Sequence, residues 1–291
     1  MNYQEFVAAV ECAVKESLPS NRNVQTHRVV KNNGSERVGI TISEREVNLS
    51  PTIYLEEYYE RYLDAEPLEE IVSHILDIYE EVKFEHNWDT TYLTDYERVK
   101  GCIVYKLIHT KKNCGLLRNM PSKEYLDLSM VCYVLLEMEC GTATVLVTDQ
   151  MMHIWKVEKE EVFARAEENT RRILPEQFYN MECVVRKVLD EEPDMVAGAG
   201  LYVLSNNRGC LGAATILYDG ILEKIGSYLG EDFYVIPSSV HEVLIYPESV
   251  GVDRERIDEI IDEVNELHVE PEEFLSDHAY FYNRETKRLS M

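Results

Sequence analysis

The chain has 291 residues and a formal net charge of −25. A negative field of this size opposes the nucleic-acid backbone and anionic membrane surfaces, so we expect neither as a partner. The same field favours a basic protein as a partner. The apolar content of 45% is ordinary and predicts a globular protein with a hydrophobic core.

The seven cysteines are scattered and none belongs to a Cys-x-x-Cys pair. This pattern argues against a disulfide framework and against a zinc site. The first five residues lack the basic and then apolar order of an export signal. No apolar run reaches the ~18 residues of a membrane span. We therefore expect a cytoplasmic protein without a metal or cofactor.

The first elements predict an amphipathic helix and a β-hairpin. Apolar residues three or four apart over residues 6–18 mark the helix, which ends before Pro19. Residues 24–31 and 38–42 predict two strands. Asn33-Gly34 joins them, and this pair is typical of a type I′ turn because both central positions need positive φ.

Acidic helices are predicted next. Ser50-Pro51 predicts a helix start, with Ser as the N-cap and Pro at the first helical position. A second helix is predicted over residues 68–84, with an acidic outer face. Residues 51–100 carry 14 acidic and 4 basic side chains, and residues 251–291 carry 12 and 5. The charge distribution therefore predicts two acidic faces.

The middle of the chain is less regular in pattern. Residues 104–108 fit either a strand or a helix. Residues 126–138 are nearly all apolar and predict a central strand, which returns over residues 144–147. Helices are predicted over residues 158–169 and about 175–189.

Residues 201–247 form the most apolar long segment. They predict a strand (201–204), a turn (205–209), a helix (212–229) and two further strands (233–236 and 240–246). Asp219-Gly220 predicts a kink or break in that helix, and Gly230 suits its C-terminal end. An acidic helix near residues 257–267 and a last strand over 279–282 follow.

Together these elements predict an α+β fold, a mixed and mainly antiparallel sheet with packed amphipathic helices. Internal repeats and low-complexity linkers are absent from the sequence. The chain either divides near residue 120, into 1–120 and 121–291, or forms one domain.

The densest group of reactive side chains is Ser238, Ser239, His241 and Glu242. A Ser–His pair can activate a nucleophile, and residues 239 and 241 share one face of an extended strand. A triad, however, needs a base that approaches end-on and a third group that orients it, whereas strand neighbours project in parallel. We therefore favour a structural role for the serines, which hydrogen-bond backbone groups of a turn.

A second candidate segment joins the predicted strand at 201–204 to the following helix. Its residues Asn206, Asn207, Gly209 and Gly212 suit an anion site at a helix N-terminus. The segment lacks the Lys-Ser or Lys-Thr of a Walker loop and the Gly-x-Gly-x-x-Gly spacing. A plain connecting turn is therefore favoured. The chain contains no His-Glu-x-x-His or comparable ligand spacing, so no metal site is predicted.

Several phrases together resemble a known family. They are Lys31-Asn32-Asn33-Gly34, Ser50-Pro51-Thr52-Ile53-Tyr54-Leu55, Asn169-Thr170 before Leu174-Pro175, Gly212-Ala213-Ala214, residues 237–244 and Phe274-Leu275-Ser276-Asp277. The chain resembles an uncharacterised bacterial domain-of-unknown-function family of anaerobic gut bacteria, and its C-terminal half is similar to the YtpQ-like proteins. The resemblance implies a cytoplasmic bacterial protein without assigned activity or catalytic residues.

The leading functional hypothesis is a non-enzymatic, acidic protein-interaction module, because two acidic faces are present and no site is complete. One alternative is a hydrolase that uses the neighbourhood of Ser239 and His241. The other is an acidic nucleic-acid mimic that occupies the groove of a basic protein.

Overall fold

The computed structural model describes residues 1–44, 46–84, 86–138, 141–181, 200–251 and 254–291. The chain divides into two units, Met1–Tyr92 with Glu137–Thr142 and Leu93–Leu136 with Ala143–Met291. The helices and antiparallel sheets of the structure confirm the predicted α+β class. The predicted division at residue 120 falls inside the second unit, between two strands that pair with each other.

The first unit combines three helices with a three-stranded antiparallel sheet. Its elements are α1 (Tyr3–Ser17), β1 (Arg22–Val30), β2 (Glu36–Glu44), β3 (Thr52–Tyr54), α2 (Glu56–Leu63) and α3 (Leu68–Val82). Asn2 begins α1 with a capping box, because its side chain and that of Glu5 each accept the other's backbone N–H at 2.9 Å. The core is built from large apolar side chains of the helices and the sheet, among them Phe6, Val10, Ile40, Leu55, Ile71 and Ile75.

The predicted hairpin is confirmed. The antiparallel pairing of β1 with β2 extends to Val30, which lies opposite Glu36. Asn33 and Gly34 adopt positive φ values of 60° and 72°, as the two central positions of a type I′ turn require.

The predicted helix start at Ser50-Pro51 is wrong. The residues after Pro51 form β3, which pairs with β2, and α2 begins only at Glu56. Gly39 on β2 permits this pairing, since a Cβ at that position would overlap the side chain of Thr52. Pairing with a neighbouring strand therefore overrides the local capping signal.

A four-stranded sheet follows, with β6 at its centre. Its strands are β4 (Ile103–His109), β5 (Ser122–Tyr125), β6 (Leu128–Met138) and β7 (Gly141–Leu146), and β4, β5 and β7 all pair with β6. The helices nearby in sequence are α4 (Tyr96–Val99), α5 (Asp149–Trp155) and α6 (Lys159–Ile173). Residues 104–108, which fitted a strand or a helix, thus form a strand. It lies against α6, where Thr170 Oγ1 accepts the N–H of Tyr105 at 3.0 Å.

The second unit also contains a six-stranded antiparallel sheet. Its strands are β8 (Glu176–Asn180), β9 (Tyr202–Asn206), β10 (Phe233–Ile236), β11 (Val243–Pro247), β12 (Tyr280–Asn283) and β13 (Arg288–Ser290), in the order β13-β12-β10-β11-β9-β8. α7 (Ile221–Leu229) and α8 (Arg254–Leu267) belong to the same unit. In the part of the chain that the structure describes, no helix has the length and apolarity to cross a membrane.

Three predictions for this region change. The helix predicted over 175–189 is wrong at its start, where β8 pairs with β9, and residues 182–199 lie outside the described residues. The helix predicted over 212–229 divides into a 3₁₀ turn (Gly212–Leu217) and α7, with Gly220 at φ 70° between them. The break at Asp219-Gly220 and the left-handed Gly230 at the end of α7 are thus confirmed. The strand predicted over 240–246 begins only at Val243, and β13 was not predicted.

A partly buried carboxylate joins the two sheets within the second unit. Asp127 lies between β5 and β6 and accepts hydrogen bonds from Ser276 Oγ at 2.7 Å and from the Tyr280 hydroxyl at 2.5 Å. The His109 ring lies 3.6 Å from the same carboxylate. Burial raises the pKa of Asp127, but the nearby His109 ring and the hydrogen bonds from Ser276 and Tyr280 outweigh burial and hold the pKa below its usual value.

We expect Asp127→Asn to lower the free energy of unfolding by about 1.5–3 kcal/mol at pH 7, the usual contribution of hydrogen bonds to a charged group. Because the folded-state pKa is lowered, the contribution is present above the unfolded-state pKa near 3.8 and is lost as the pH falls through the folded-state value. Urea unfolding of both proteins should therefore show a difference that narrows in acid. A pH-independent difference would contradict an ionised Asp127 in the folded state.

Candidate functional site

The two predicted clusters, at 206–212 and 238–242, come together around His241. The carbonyl oxygen of His241 accepts hydrogen bonds from Gly212 N–H at 2.9 Å and from Ser205 Oγ at 2.8 Å. The ring Nδ1 of His241 accepts the N–H of Leu211 at 3.1 Å. The turn after β9 and the loop before β11 are therefore one structural site, although thirty residues separate them in sequence.

Gly212 permits this contact. A Cβ at position 212 would overlap Ser205 Oγ and would lie 2.6 Å from the carbonyl oxygen of His241. Real Cβ atoms do not approach other atoms so closely, so the site needs glycine here. The reason is a close approach of two backbones, not an unusual φ angle.

Asn206 shapes the turn that precedes Gly212. Its side chain accepts the N–H of Arg208 at 2.9 Å and donates to the carbonyl of Cys210 at 2.8 Å. Gly209 and Leu211 both adopt left-handed backbone conformations, with φ of 60° and 55°. For Leu211 this conformation is sterically unfavourable and is maintained by the surrounding hydrogen bonds.

The N–H groups of the proposed anion site already have protein acceptors. Asn207 N–H donates to Pro175 O at 3.0 Å, Gly209 N–H donates to Asn206 O at 3.1 Å, and Gly212 N–H donates to His241 O. The helix that follows is a six-residue 3₁₀ turn. This arrangement favours the plain connecting turn, and anion binding stays a prediction.

In the second cluster, the Ser239 hydroxyl hydrogen-bonds a backbone group. Ser239 Oγ accepts the N–H of His241 at 3.0 Å, and Ser239 N–H donates to Glu242 O at 3.3 Å. Ser238 N–H donates to Ile236 O at 2.9 Å. Glu242 is half-buried, and this burial raises its pKa while the nearby His241 opposes the rise. The hydroxyl contact of Ser239 agrees with the structural role that the sequence favoured, and for Ser238 that role stays a prediction.

One residue that the sequence did not single out contacts the His241 ring. Glu273 Oε1 lies 3.2 Å from Nε2. The neighbouring Cys210 thiol and the charge of Glu273 raise the pKa of His241, and burial opposes them. Cys210 directly follows the turn predicted over 205–209 and was identifiable as a reactive type. Glu273 is 32 residues from His241, and no sequence pattern connects the two.

An apolar groove lies between α8 and the six-stranded sheet. It contains a cavity of about 200 Å³. Its apolar walls are formed by Leu201, Ile236, Pro237, Leu244, Tyr246, Ile257, Ile260, Ile261 and Val264, and its polar residues are Ser238 and Asn265. Ile260 and Val264 remain 42% and 38% exposed, so the groove opens to solvent beside them.

The position of α8 is set by two polar contacts. Asp258 Oδ1 accepts the N–H of Ala279 at 2.8 Å, and Asn265 Nδ2 donates to the carbonyl of Ser276 at 3.0 Å. Ile257 and Ile261 are buried between these contacts and the sheet. The helix is therefore attached along one side while its outer face stays acidic, with Glu255, Glu259, Asp262, Glu263 and Glu266.

Among the described residues, no three His, Cys, Asp or Glu side chains converge to hold a metal ion. The model of a family of unknown function, DUF5688, matches residues 3–284. The chain belongs to this family. Searches of curated proteins and of solved structures give no match for this DUF5688 protein. The resemblance to a family of unknown function is thus confirmed, whereas the gut-bacterial origin and the similarity to YtpQ-like proteins stay predictions.

We expect Gly212→Ala to destabilise the DUF5688 protein by about 1–3 kcal/mol, because the added methyl group overpacks the contact with His241. The matched control is Gly115→Ala, since a Cβ at position 115 has no atom within 4 Å. Urea unfolding measures both variants. Equal stability of the two variants would contradict the close approach at position 212.

Proposed function

We propose that this protein is a non-enzymatic interaction module. Its partner would present apolar side chains flanked by lysine or arginine. The observation that supports this proposal is the apolar groove beside α8, bordered by the acidic outer face of the same helix.

The apolar walls supply affinity. Ile260 and Val264 keep more than a third of their surface exposed, and Tyr246 and Leu244 line the facing sheet. Burial of one branched aliphatic side chain contributes about 1.5–3 kcal/mol. Apolar anchors of a partner, spaced to enter the groove, would therefore bind there.

The acidic rim supplies selectivity for basic partners. The sequence of α8 contains six carboxylates and two arginines, and both arginines pair with carboxylates of the same helix. Arg256 lies 2.7 Å from Glu259, and Arg254 lies 3.9 Å from Asp258. The net negative potential of the helix, together with the overall charge of −25, attracts positive segments and speeds their association.

The test uses a synthetic amphipathic peptide of about 14 residues, with Leu at i, i+3, i+4 and i+7 and Lys at the flanking positions. Fluorescence anisotropy should show binding that weakens as salt is raised, because exposed charges are screened over about 8–10 Å at physiological ionic strength. A matched peptide with Glu in place of Lys should bind much more weakly. Equal binding of both peptides, or none, would contradict the proposal.

Val264→Asp should weaken peptide binding by about tenfold or more, because the new charge faces the apolar anchors. The control is Leu63→Asp, since Leu63 is 62% exposed on α2 in the other unit. Circular dichroism verifies that both variants fold. If sedimentation instead shows a dimer that Val264→Asp dissociates, the groove binds a second copy of the chain and the basic partner is wrong.

Both alternatives from the sequence stay predictions. The serine hydrolase would use Ser239 as its nucleophile. Ser239 Oγ accepts the backbone N–H of His241, which gives this hydroxyl a structural role. Labelling of Ser239 by a fluorophosphonate would support the hydrolase nonetheless. The nucleic-acid mimic predicts that this protein and DNA compete for binding to the same basic protein.

A further inference from the structure

We propose that the open edge of β1 binds an extended segment of a partner protein as an additional β-strand. The segment would carry apolar side chains at alternate positions and a carboxylate that faces Arg28. β1 is an outer strand of its sheet, because among the described strands it pairs with β2 alone. Strand addition at such an edge is a recurring mode of peptide recognition. This surface lies in the first unit and is independent of the groove beside α8.

The contacts of Val38 on β2 show which backbone groups of β1 face the open edge. Val38 N–H donates to Glu56 Oε1 at 2.6 Å, and Val38 O accepts the N–H of Leu55 at 3.0 Å. Both backbone groups of Val38 therefore point away from β1. Arg28 lies opposite Val38, and in an antiparallel ladder both residues of such a pair turn their backbone groups outward. The N–H and C=O of Arg28 thus point to the open edge.

The same alternation holds along the whole strand. The register with β2 is unbroken over all nine residues of β1. Every second residue therefore turns its backbone groups outward, which gives the set Val24, Thr26, Arg28 and Val30. Each of them presents one N–H and one C=O, in the row with which an additional strand pairs.

β1 lacks several features that usually protect an edge strand. Natural edge strands are often short, contain proline, lysine or a bulge, or are covered by another element. β1 has nine residues without proline, lysine or a bulge, and Gln25, His27 and Val30 are exposed. By contrast, β3 at the other edge of the same sheet has three residues. The length and regularity of β1 therefore favour strand addition.

A cavity of about 260 Å³ lies between α1 and β1. Tyr3 and Val7 line it from α1, and Thr26 and Arg28 line it from β1. The wall formed by Tyr3 is fixed, because the Tyr3 hydroxyl donates to Glu56 Oε1 at 2.7 Å. An added strand directs every second side chain to this face of the sheet. One apolar side chain of the segment would enter the cavity, and this contact supplies selectivity.

The position of α1 argues against a second copy of the chain as the occupant. α1 lies over β1, where Thr26 Oγ1 donates to Glu11 Oε2 at 2.5 Å. Antiparallel pairing of two β1 strands would bring both α1 helices to the same face of one sheet. Neighbouring strands lie about 4.8 Å apart, whereas packed helices need about 8–10 Å between their axes. A segment without a helix of its own avoids this clash.

The charge of β1 sets the chemistry of the segment. Its nine residues contain two arginines and no carboxylate, although the net charge of the chain is −25. Arg22 is engaged, since it lies 3.0 Å from Glu44 and 2.8 Å from Glu80. The Arg28 side chain is 66% exposed, and its contact with the exposed Glu36 at 3.3 Å is weakened by solvent. A carboxylate of the segment would therefore pair with Arg28.

The probe is a nine-residue peptide with Val at alternate positions and Thr and Glu between them, and its binding is measured by fluorescence anisotropy. Methylation of one alternate set of its backbone amides should abolish binding, whereas methylation of the other set should preserve it, because one edge of the added strand pairs with β1. A peptide with Lys in place of Glu should bind more weakly. Absence of binding, equal effects of the two methylations, or equal binding of the Lys peptide would overturn the proposal.

Arg28→Glu should weaken peptide binding by about three- to tenfold, because the pair with the peptide carboxylate becomes repulsive. The matched control is Arg165→Glu in the second unit, since Arg165 is also an exposed arginine and lies 3.2 Å from the carboxylate of Glu168. The control should bind the peptide as the wild-type protein does. Circular dichroism verifies that both variants fold. An equal loss in both variants would assign the effect to overall charge and contradict the role of Arg28.

Amide hydrogen exchange followed by NMR tests the geometry of the edge directly. In the free protein, the amides of Thr26 and Arg28 should exchange fast, whereas those of Gln25 and His27, which face β2, should exchange slowly. The peptide should slow exchange at Thr26 and Arg28 by at least about tenfold. Unchanged exchange at these two amides would overturn the proposal. Protection that rises with protein concentration without peptide would identify a second copy as the occupant and would also overturn it.

Discussion

One backbone oxygen organises the site. The carbonyl of His241 accepts both Gly212 N–H and Ser205 Oγ, and this double hydrogen bond brings the turn after β9 against the loop before β11. The missing Cβ of Gly212 makes the approach possible. The ring of His241 is thereby placed beside Cys210 and Glu273. A buried carbonyl with two donors is fully satisfied, so this arrangement does not carry the energetic cost of an unpaired polar group.

One face of β11 lines the groove, and the other face is buried in the core. Along β11, Val243 and Ile245 are fully buried, while Leu244 and Tyr246 line the groove. This alternation is the ordinary period of a β-strand, in which successive side chains point to opposite faces. A partner in the groove would therefore contact Leu244 and Tyr246 and leave Val243 and Ile245 in the core.

Carboxylates have three roles in this acidic chain. Asp127 is enclosed by hydroxyl donors, which hold its pKa low and join two sheets. Glu273 contacts an imidazole, and the exposed carboxylates of α8 contribute a negative field. The amino-acid composition does not distinguish these three roles. Their roles differ because local donors and burial, not the number of acids, decide what each charge does.

Much of the fold was predictable from local pattern. The hairpin at Asn33-Gly34, the amphipathic α1 and α3 and the break at Asp219-Gly220 follow from positive φ, helical periodicity and glycine, all of which act over a few residues. β3 and β8 were predicted as helix because strand pairing with β2 and β9 overrides local propensity.

The candidate site, like the fold, was only partly predictable from the sequence. The sequence by itself marked two candidate clusters, with His241 in one and Gly212 in the other, because reactive and turn-forming residue types are visible in order along the chain. Only the tertiary structure brought them together and placed Glu273 against the imidazole. The reason is physical. A hydrogen bond between residues 32 positions apart depends on how strands pair and how loops approach each other, and the residue types next to either partner do not determine that arrangement.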